Sequence, residues 1–214
     1  ELRISQIAQQ RPAERAVAAA DAPALCHRGE EFHDVFLRDD FDAVITNAAG
    51  CGSTLKEYGQ LFGTNSQEHA KAHAFQKKMR DVTEFLADLG LSASLMTLPL
   101  RVTYQDSCHL LHGQKIREAP RKLMRAIPGL ELTEMAMADY CCGSAGSYNV
   151  SETETSLDIL AEKMKHARAT GASVIVTANP GCLLQMRAGA EIHATGQEVL
   201  HVIELLDRAL VKSA

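Results

Sequence analysis

Residues 174–182 read Val174-Ile175-Val176-Thr177-Ala178-Asn179-Pro180-Gly181-Cys182, and residues 43–51 read Ala43-Val44-Ile45-Thr46-Asn47-Ala48-Ala49-Gly50-Cys51. The two stretches share one pattern: a short β-branched run, a turn of small residues, and a cysteine before a helical pattern. A buried strand that turns tightly into a helix places the cysteine near the helix N-terminus, where a thiolate is favoured. The chain is therefore predicted to contain a repeated unit with a cysteine at the same point of each copy.

The rest of the hydrophobic pattern alternates between helices and strands. It predicts helices over 16–24, 67–89, 120–126, 153–169 and 197–211. It predicts further strands over 101–105, 130–135 and 173–177. Strands separated by helices are typical of parallel sheets. We predict an α/β fold of two pseudo-repeated βαβ units with mostly parallel sheets, the first unit being incomplete.

Composition and charge exclude several classes of function. The chain has 214 residues, of which 46% are hydrophobic and 23% are charged, as in an ordinary globular protein. No apolar run approaches the ~20 residues of a membrane span. The net charge of −5, with dispersed Lys and Arg, gives no footprint for nucleic acid. The opening Glu1-Leu2-Arg3 lacks Met, so we expect a piece of a longer protein.

Cysteines are the most informative residues. Six cysteines without a signal sequence favour metal or redox chemistry in a reducing compartment. Four of them are predicted to lie where strands of the second unit end: Cys108, Cys141, Cys142 and Cys182. Four thiolates at one sheet edge can hold an iron–sulfur cluster or a tetrahedral zinc ion, and adjacent cysteines suit the cluster better. The spacing from Cys108 to His112 is a weaker zinc signal, and buried cysteines can also be plain small hydrophobes.

These motifs resemble a known family, the cysteine-rich CCG domain of heterodisulfide reductase B-type subunits and glycolate oxidase iron–sulfur subunits. The resemblance covers roughly residues 40–212 and rests on Asp106-Ser107-Cys108-His109, Asn179-Pro180-Gly181-Cys182, and two longer segments. The longer segments look specifically like the glycolate oxidase subunit. They are Cys141-Cys142-Gly143-Ser144-Ala145-Gly146-Ser147-Tyr148 and Thr46-Asn47-Ala48-Ala49-Gly50-Cys51-Gly52-Ser53-Thr54-Leu55-Lys56-Glu57-Tyr58-Gly59.

The resemblance implies a function in electron transfer. It implies a divergent segment over 1–40, the tail of a first repeat over 41–97 and a complete second CCG domain over 98–214. It makes Cys108, Cys141, Cys142 and Cys182 ligands of a [4Fe–4S] cluster, with Cys51 as a further candidate. It implies that electrons pass from an FAD flavoprotein subunit that oxidises a 2-hydroxy acid such as glycolate toward a quinone-type acceptor. The expected location is cytoplasmic, with peripheral attachment to the inner membrane through the complex.

At three points the sequence departs from the family pattern, and each departure limits the cluster or the function that the resemblance implies. Leu183, Leu184 and Gln185 follow Cys182, so the closing Cys-x-x-Cys is absent and an ordinary four-thiolate cluster is expected. Cys26 is not part of a Cys-Cys-Gly motif, so Cys51 lacks its usual companions. A ferredoxin-like cysteine spacing is absent, so this chain is expected to be a non-catalytic part of an oxidoreductase complex. A thiol/disulfide redox subunit and a zinc-stapled docking module remain alternatives.

Hydrogen bonds to the sulfur atoms are expected to set the properties of the site. We expect donors from the backbone N–H groups of Gly143 and Ser144, since hydrogen bonding to sulfur tunes a cluster's reduction potential. Asn47 and Asn179 are predicted to hydrogen-bond across the turns that aim the cysteines.

Overall fold

The computed structural model of the protein describes residues 16–18, 32–37, 41–91 and 94–211, and Cys26 lies outside them. The strands are β1 (Ala16–Ala18), β2 (Ala43–Thr46), β3 (Met79–Asp81), β4 (Arg101–Tyr104), β5 (Glu131–Glu134), β6 (Val174–Thr177) and β7 (Glu198–His201). The α-helices are α1 (Phe32–Leu37), α2 (Ala49–Lys56), α3 (Gln67–Lys78), α4 (Val82–Leu89), α5 (Glu118–Arg125), α6 (Tyr148–Ser151), α7 (Thr153–Ala169), α8 (Pro180–Ile192) and α9 (Val202–Ala209). A 3-10 helix spans Tyr58–Leu61 and a π-helical turn spans His109–Gly113.

The strands form two parallel sheets, which confirms the predicted α/β class. The first sheet has the order β1-β2-β3 and the second has the order β5-β4-β6-β7. Every pairing between these strands is parallel. Strands β2 and β6, the two copies of the repeated pattern, are buried along their whole length. The repeat is thus the central strand of one sheet and an inner strand of the other.

Two predicted helices were wrong in the same way. The helix expected over 67–89 is divided into α3 and α4 by β3, whose residue Met79 pairs with Val44. The helix expected over 197–211 begins instead with β7, and only α9 is helical. In each case a capping box starts the following helix, from Asp81 in one unit and from His201 in the other. Strand β3 pairs with the buried strand β2, and β7 pairs with the buried strand β6. This pairing overrides the helical pattern of the two short segments.

The helix predicted over 16–24 was also wrong where the structure describes it. Residues Ala16–Ala18 form β1, which pairs with β2 in parallel. Alanine favours helices, but in β1 the pairing with β2 provides hydrogen-bond partners for the backbone groups of these residues. Residues 19–24 lie outside the described residues.

The two units share one core. Its largest cluster contains Ile45, Val82 and Phe85 from the first unit and Tyr104 and Val176 from the second. A second cluster includes Cys142, Cys182 and Met186, so two of the predicted site cysteines are embedded in apolar packing. None of the helices in the described part of the chain combines the length and apolar character needed to cross a bilayer.

Candidate functional site

Four cysteines converge at the carboxyl edge of the second sheet. Cys108 follows β4, the adjacent pair Cys141 and Cys142 lies in the connection after β5, and Cys182 lies in the first turn of helix α8, after β6. Because β4 lies between β5 and β6, all three connections leave the sheet side by side. Cys142 and Cys182 are buried, whereas Cys108 and Cys141 are half-buried.

The four sulfur atoms contact one another in sequence. Hydrogen bonds from Cys108, which has the larger effect, and from Cys142 lower the pKa of Cys141. A hydrogen bond from Cys142 also lowers the pKa of Cys182. The same bonds, together with burial, raise the pKa of Cys108 and of Cys142. The site therefore favours two thiolates, at Cys141 and Cys182, each bound by a neighbouring thiol. Thiolates are the form of cysteine that binds metals.

Backbone and side-chain donors also point at these sulfurs. The N–H of Gly143 donates to Sγ of Cys141 at 3.3 Å, and Nδ2 of Asn179 donates to Sγ of Cys182 at 3.5 Å. The backbone N–H of Ser144 bonds to Cys142 and lowers the pKa of that thiol in part. The donors expected from Gly143 and Ser144 therefore lie against site sulfurs, and Asn179, predicted to hydrogen-bond across its turn, also donates to one of them.

The loop that carries Cys108 is fixed by a buried ion-pair network. Arg121 donates to both carboxylate oxygens of Asp106 at 2.8 Å and to Glu134 at 2.9 and 3.0 Å. The Arg121 guanidinium carbon also lies 5.0 Å from the ring centroid of Tyr104. These contacts tie helix α5 and strand β5 to a residue two positions before Cys108. Sequence reasoning missed this network, since its members are distant in the chain and show no local motif.

The repeated motif of the first unit contacts the site through Asn179. The N–H of Gly50 donates to Oδ1 of Asn179 at 3.2 Å. Asn179 is the N-cap of α8 but makes no side-chain cap bond to its own helix. Its amide instead joins Gly50 to Cys182. On the other side of the interface, Nε2 of His201 lies 3.1 Å from the backbone oxygen of Asn47, so Asn47 takes part through its carbonyl group.

Cys51 itself lies apart from the four-cysteine group. Its side chain is exposed, and it takes no part in the chain of sulfur contacts. Its neighbour Gly52 lies so close to the amide of Gln114 that a side chain there would overlap it, and Gln114 donates to the carbonyl of Ala49 at 2.9 Å. The Gly-Cys-Gly segment thus packs the first unit against the π-helical turn of the second.

The residues present fit a sulfur-ligated group by their chemistry, although their sulfurs are paired with one another. Among the residues the structure describes, no three His, Cys, Asp or Glu side chains surround a common centre ready for a metal ion. The ring of His112 lies 3.5 Å from the carbonyl of Asp139, and His109 lies 3.7 Å from Sγ of Cys108. Soft thiolates suit iron–sulfur clusters and zinc alike, so the donor set admits both.

Comparison with known proteins is consistent with this arrangement. A family model described as a cysteine-rich domain, CCG, matches residues 102–187, a range that contains all four site cysteines. The chain is 46% identical over 171 residues to the probable glycolate oxidase iron–sulfur subunit of Bacillus subtilis (strain 168). That alignment covers 78% of this chain and 38% of the relative.

Two other relatives extend the comparison. A fumarate reductase (CoM/CoB) subunit of Methanothermobacter marburgensis is 34% identical over 80% of this chain and 33% of its own length. Lactate utilization protein A of Geobacillus sp. (strain WCH70) is 32% identical over 82% of this chain and 74% of its own length. This chain thus spans about a third of the length of the first two relatives and most of the third. These matches show that the chain belongs to the cysteine-rich CCG domain family.

Proposed function

We propose that this chain is an electron-transfer component of an iron–sulfur subunit that serves a 2-hydroxy-acid-oxidising complex. The observation that carries the proposal is the convergence of Cys108, Cys141, Cys142 and Cys182 at one sheet edge, with hydrogen-bond donors aimed at their sulfurs. The names of the glycolate oxidase and lactate utilization relatives support the substrate class.

These four cysteines would hold a [4Fe–4S] cluster, which supplies one-electron chemistry when bound. Because the sulfurs now contact one another, binding would replace thiol–thiolate hydrogen bonds with metal–sulfur bonds. The protons on Cys108 and Cys142 would leave at that step. The donors from Gly143, Ser144 and Asn179 would remain on the sulfurs and stabilise their negative charge.

The electron donor in this proposal is an FAD flavoprotein subunit and the final acceptor is of the quinone type. Oxidation of a 2-hydroxy acid to the 2-oxo acid releases two electrons and two protons at the flavoprotein. This chain would pass the electrons on one at a time and would make or break no bond in the substrate. A cytoplasmic location, with attachment to the inner membrane through the complex, belongs to the same proposal.

An anaerobic reductive titration followed by electron paramagnetic resonance tests this function. The wild-type chain should take up about one electron per cluster and give the signal of a reduced [4Fe–4S] centre. Cys182→Ser should lose the signal, whereas Cys51→Ser should keep it. The same protein should then be mixed with the flavoprotein subunit and a 2-hydroxy acid, and reduction of the cluster should follow.

Two outcomes would replace the proposal with one of the alternatives. A colourless protein with bound zinc and no electron uptake would indicate a structural docking module. Turnover of a disulfide substrate by the isolated chain would instead indicate a thiol/disulfide redox subunit, and the thiolates at Cys141 and Cys182 are the groups that would attack it.

A further inference from the structure

A buried lysine contacts the loop that leads to the cysteine pair of the second unit. Lys163, on helix α7, is only 3% exposed. Its ammonium donates to the carbonyl of Met137 at 2.7 Å and to the carbonyl of Ala138 at 3.2 Å. Those carbonyls belong to the loop that leads to Cys141 and Cys142. A lysine buried to this extent is uncommon unless partners hold it, so its position needs an explanation.

The two hydrogen bonds to carbonyl groups do not by themselves explain a charged side chain at this buried position. Two carbonyl oxygens are neutral acceptors, so they leave most of the desolvation cost of an ammonium uncompensated. Burial accordingly lowers the pKa of Lys163, while nearby Cys142, Asp139, Asp106 and Cys141 favour its charged form. The groups left to compensate the ammonium are therefore the Cys141 thiolate and the Asp139 carboxylate, because Cys142 is favoured as the thiol and Asp106 is paired with Arg121.

The cavity beside Lys163 brings the charge of this side chain close to the site cysteines. A cavity of about 420 Å³ is lined by Lys163 and Cys141 together, and its other walls are Met137, Tyr140, Ile159, Glu162 and His166. The ammonium itself is buried, so solvent screens its effect on the sulfurs less than that of a charge on the surface. The same helix also carries Arg168, which is exposed.

We propose that the ammonium of Lys163 is a positioning group for the Cys141–Cys142 loop and the buried cation that raises the reduction potential of the cluster held there. This inference rests on the proposed function. Reduction adds one negative charge to the site, and a fixed positive charge close by stabilises the reduced form. Sequence patterns did not single out Lys163, since a lysine on an amphipathic helix ordinarily faces solvent.

Potentiometric titration of matched variants tests the inference. Lys163→Gln keeps a hydrogen-bond donor for the loop carbonyls but removes the charge, and its potential should be lower than that of the wild type. Lys163→Arg keeps the charge and should restore most of the difference. Arg168→Gln makes the same change of charge at an exposed position of the same helix, and solvent screening should leave its potential unchanged. Iron and sulfide content should be measured on each protein beforehand.

The outcomes separate this inference from the function on which it rests. A wild-type chain without any cluster would overturn the proposed function itself. A Lys163→Gln protein with wild-type iron, sulfide and potential would overturn only the inference about Lys163. Loss of the cluster in Lys163→Gln with recovery in Lys163→Arg would support the positioning role. Equal loss in both variants would count against it, because the second cation should replace the first.

Discussion

The backbone N–H of Gly50, in the first unit, donates to Oδ1 of Asn179, in the second, and Nδ2 of Asn179 donates to Sγ of Cys182. One amide therefore connects the repeated motif of one unit to a site cysteine of the other. Its oxygen is fixed by Gly50, so its nitrogen is aimed at the sulfur. The Gly-Cys turn of the first unit thus contributes to the site without contributing a sulfur.

Replacing this amide should change the site more than the fold. Asn179→Ala removes the donor to Cys182 and leaves the Gly50 N–H without its acceptor. We expect a loss of roughly 1 kcal/mol in the free energy of unfolding and a lower reduction potential of the bound cluster. The measurements are denaturant unfolding and potentiometry. Asn149→Ala is the control, because Asn149 bonds to Gln185 rather than to a cysteine, and it should leave the potential in place. Equal shifts in both variants would contradict the account.

Breaking the ion pair of Arg121 should be costly. Arg121→Met leaves the carboxylate of Asp106, which is 2% exposed, without its bidentate partner. Removing one member of a buried pair costs about 3–5 kcal/mol, and the loop before Cys108 should loosen as well. Chemical denaturation and iron content measure the two effects. Arg125→Met removes a neighbouring, exposed arginine and should cost less than about 1 kcal/mol. A small effect at Arg121 would show that the network does not fix this loop.

The cysteine loop depends on a glycine at position 143. Gly143 has φ +91°, and a Cβ there would overlap the carbonyl oxygen of Ser156. Gly143→Ala should therefore displace the loop and reduce both thermal stability and iron content. Gly146 has φ +69° but open space around it, so Gly146→Ala should carry only backbone strain, about 1 kcal/mol. Similar iron content in the two variants would argue against a close packing requirement at Gly143.

Asp81 should make stability depend on pH. Burial raises its pKa to about 6, although hydrogen bonds from Thr83 and the charge of Lys56 act in the opposite direction. The folded state therefore binds this proton more tightly than the unfolded state, whose Asp pKa is near 3.9. The stabilisation is complete below the unfolded pKa and is lost as the pH rises through about 6.

The test for Asp81 compares the wild type with Asp81→Asn, which keeps an acceptor for the Thr83 N–H but cannot titrate. Between about pH 5 and 7.5 the free energy of unfolding of the wild type should fall by roughly 1 kcal/mol relative to the variant. Parallel curves for the two proteins would mean that Asp81 titrates normally. Subtracting the pH curve of Asp81→Asn from that of the wild type removes the pH dependence of all other groups, which the two proteins share.

The convergence of the four cysteines was more predictable from the sequence than the elements that support them. The cysteines, Asn179 and the Gly143 turn carry local signals, because special backbone geometry and sulfur ligands require particular residue types at short spacing. Strands β3 and β7 were missed because each is short and runs directly into a capped helix. Their signals were the capping boxes that start at Asp81 and His201, within stretches that otherwise match a helical period.

The other features that the sequence did not predict depend on contacts between residues that are distant in the chain. Arg121, Asp106 and Glu134 come together only when α5, β4 and β5 are assembled, so no window of sequence reveals their network. Lys163 likewise hydrogen-bonds to loop carbonyls about 25 residues away in sequence. The exposed position of Cys51 also depends on how the two units pack. The Gly-Cys repeat alone made Cys51 a candidate ligand, whereas the lack of a Cys-Cys-Gly motif in the first repeat already indicated that it has no companion cysteines.

Metal and acid-labile sulfide analysis after anaerobic purification tests the central claim most directly. The wild-type chain and Cys51→Ser should each contain about four iron and four sulfide per chain, and Cys142→Ser should lose most of both. Cys142 is the informative position, since its thiol contacts both Cys141 and Cys182. One zinc per chain without sulfide, or iron that is unaffected by Cys142→Ser, would contradict the claim that these four cysteines hold an iron–sulfur cluster.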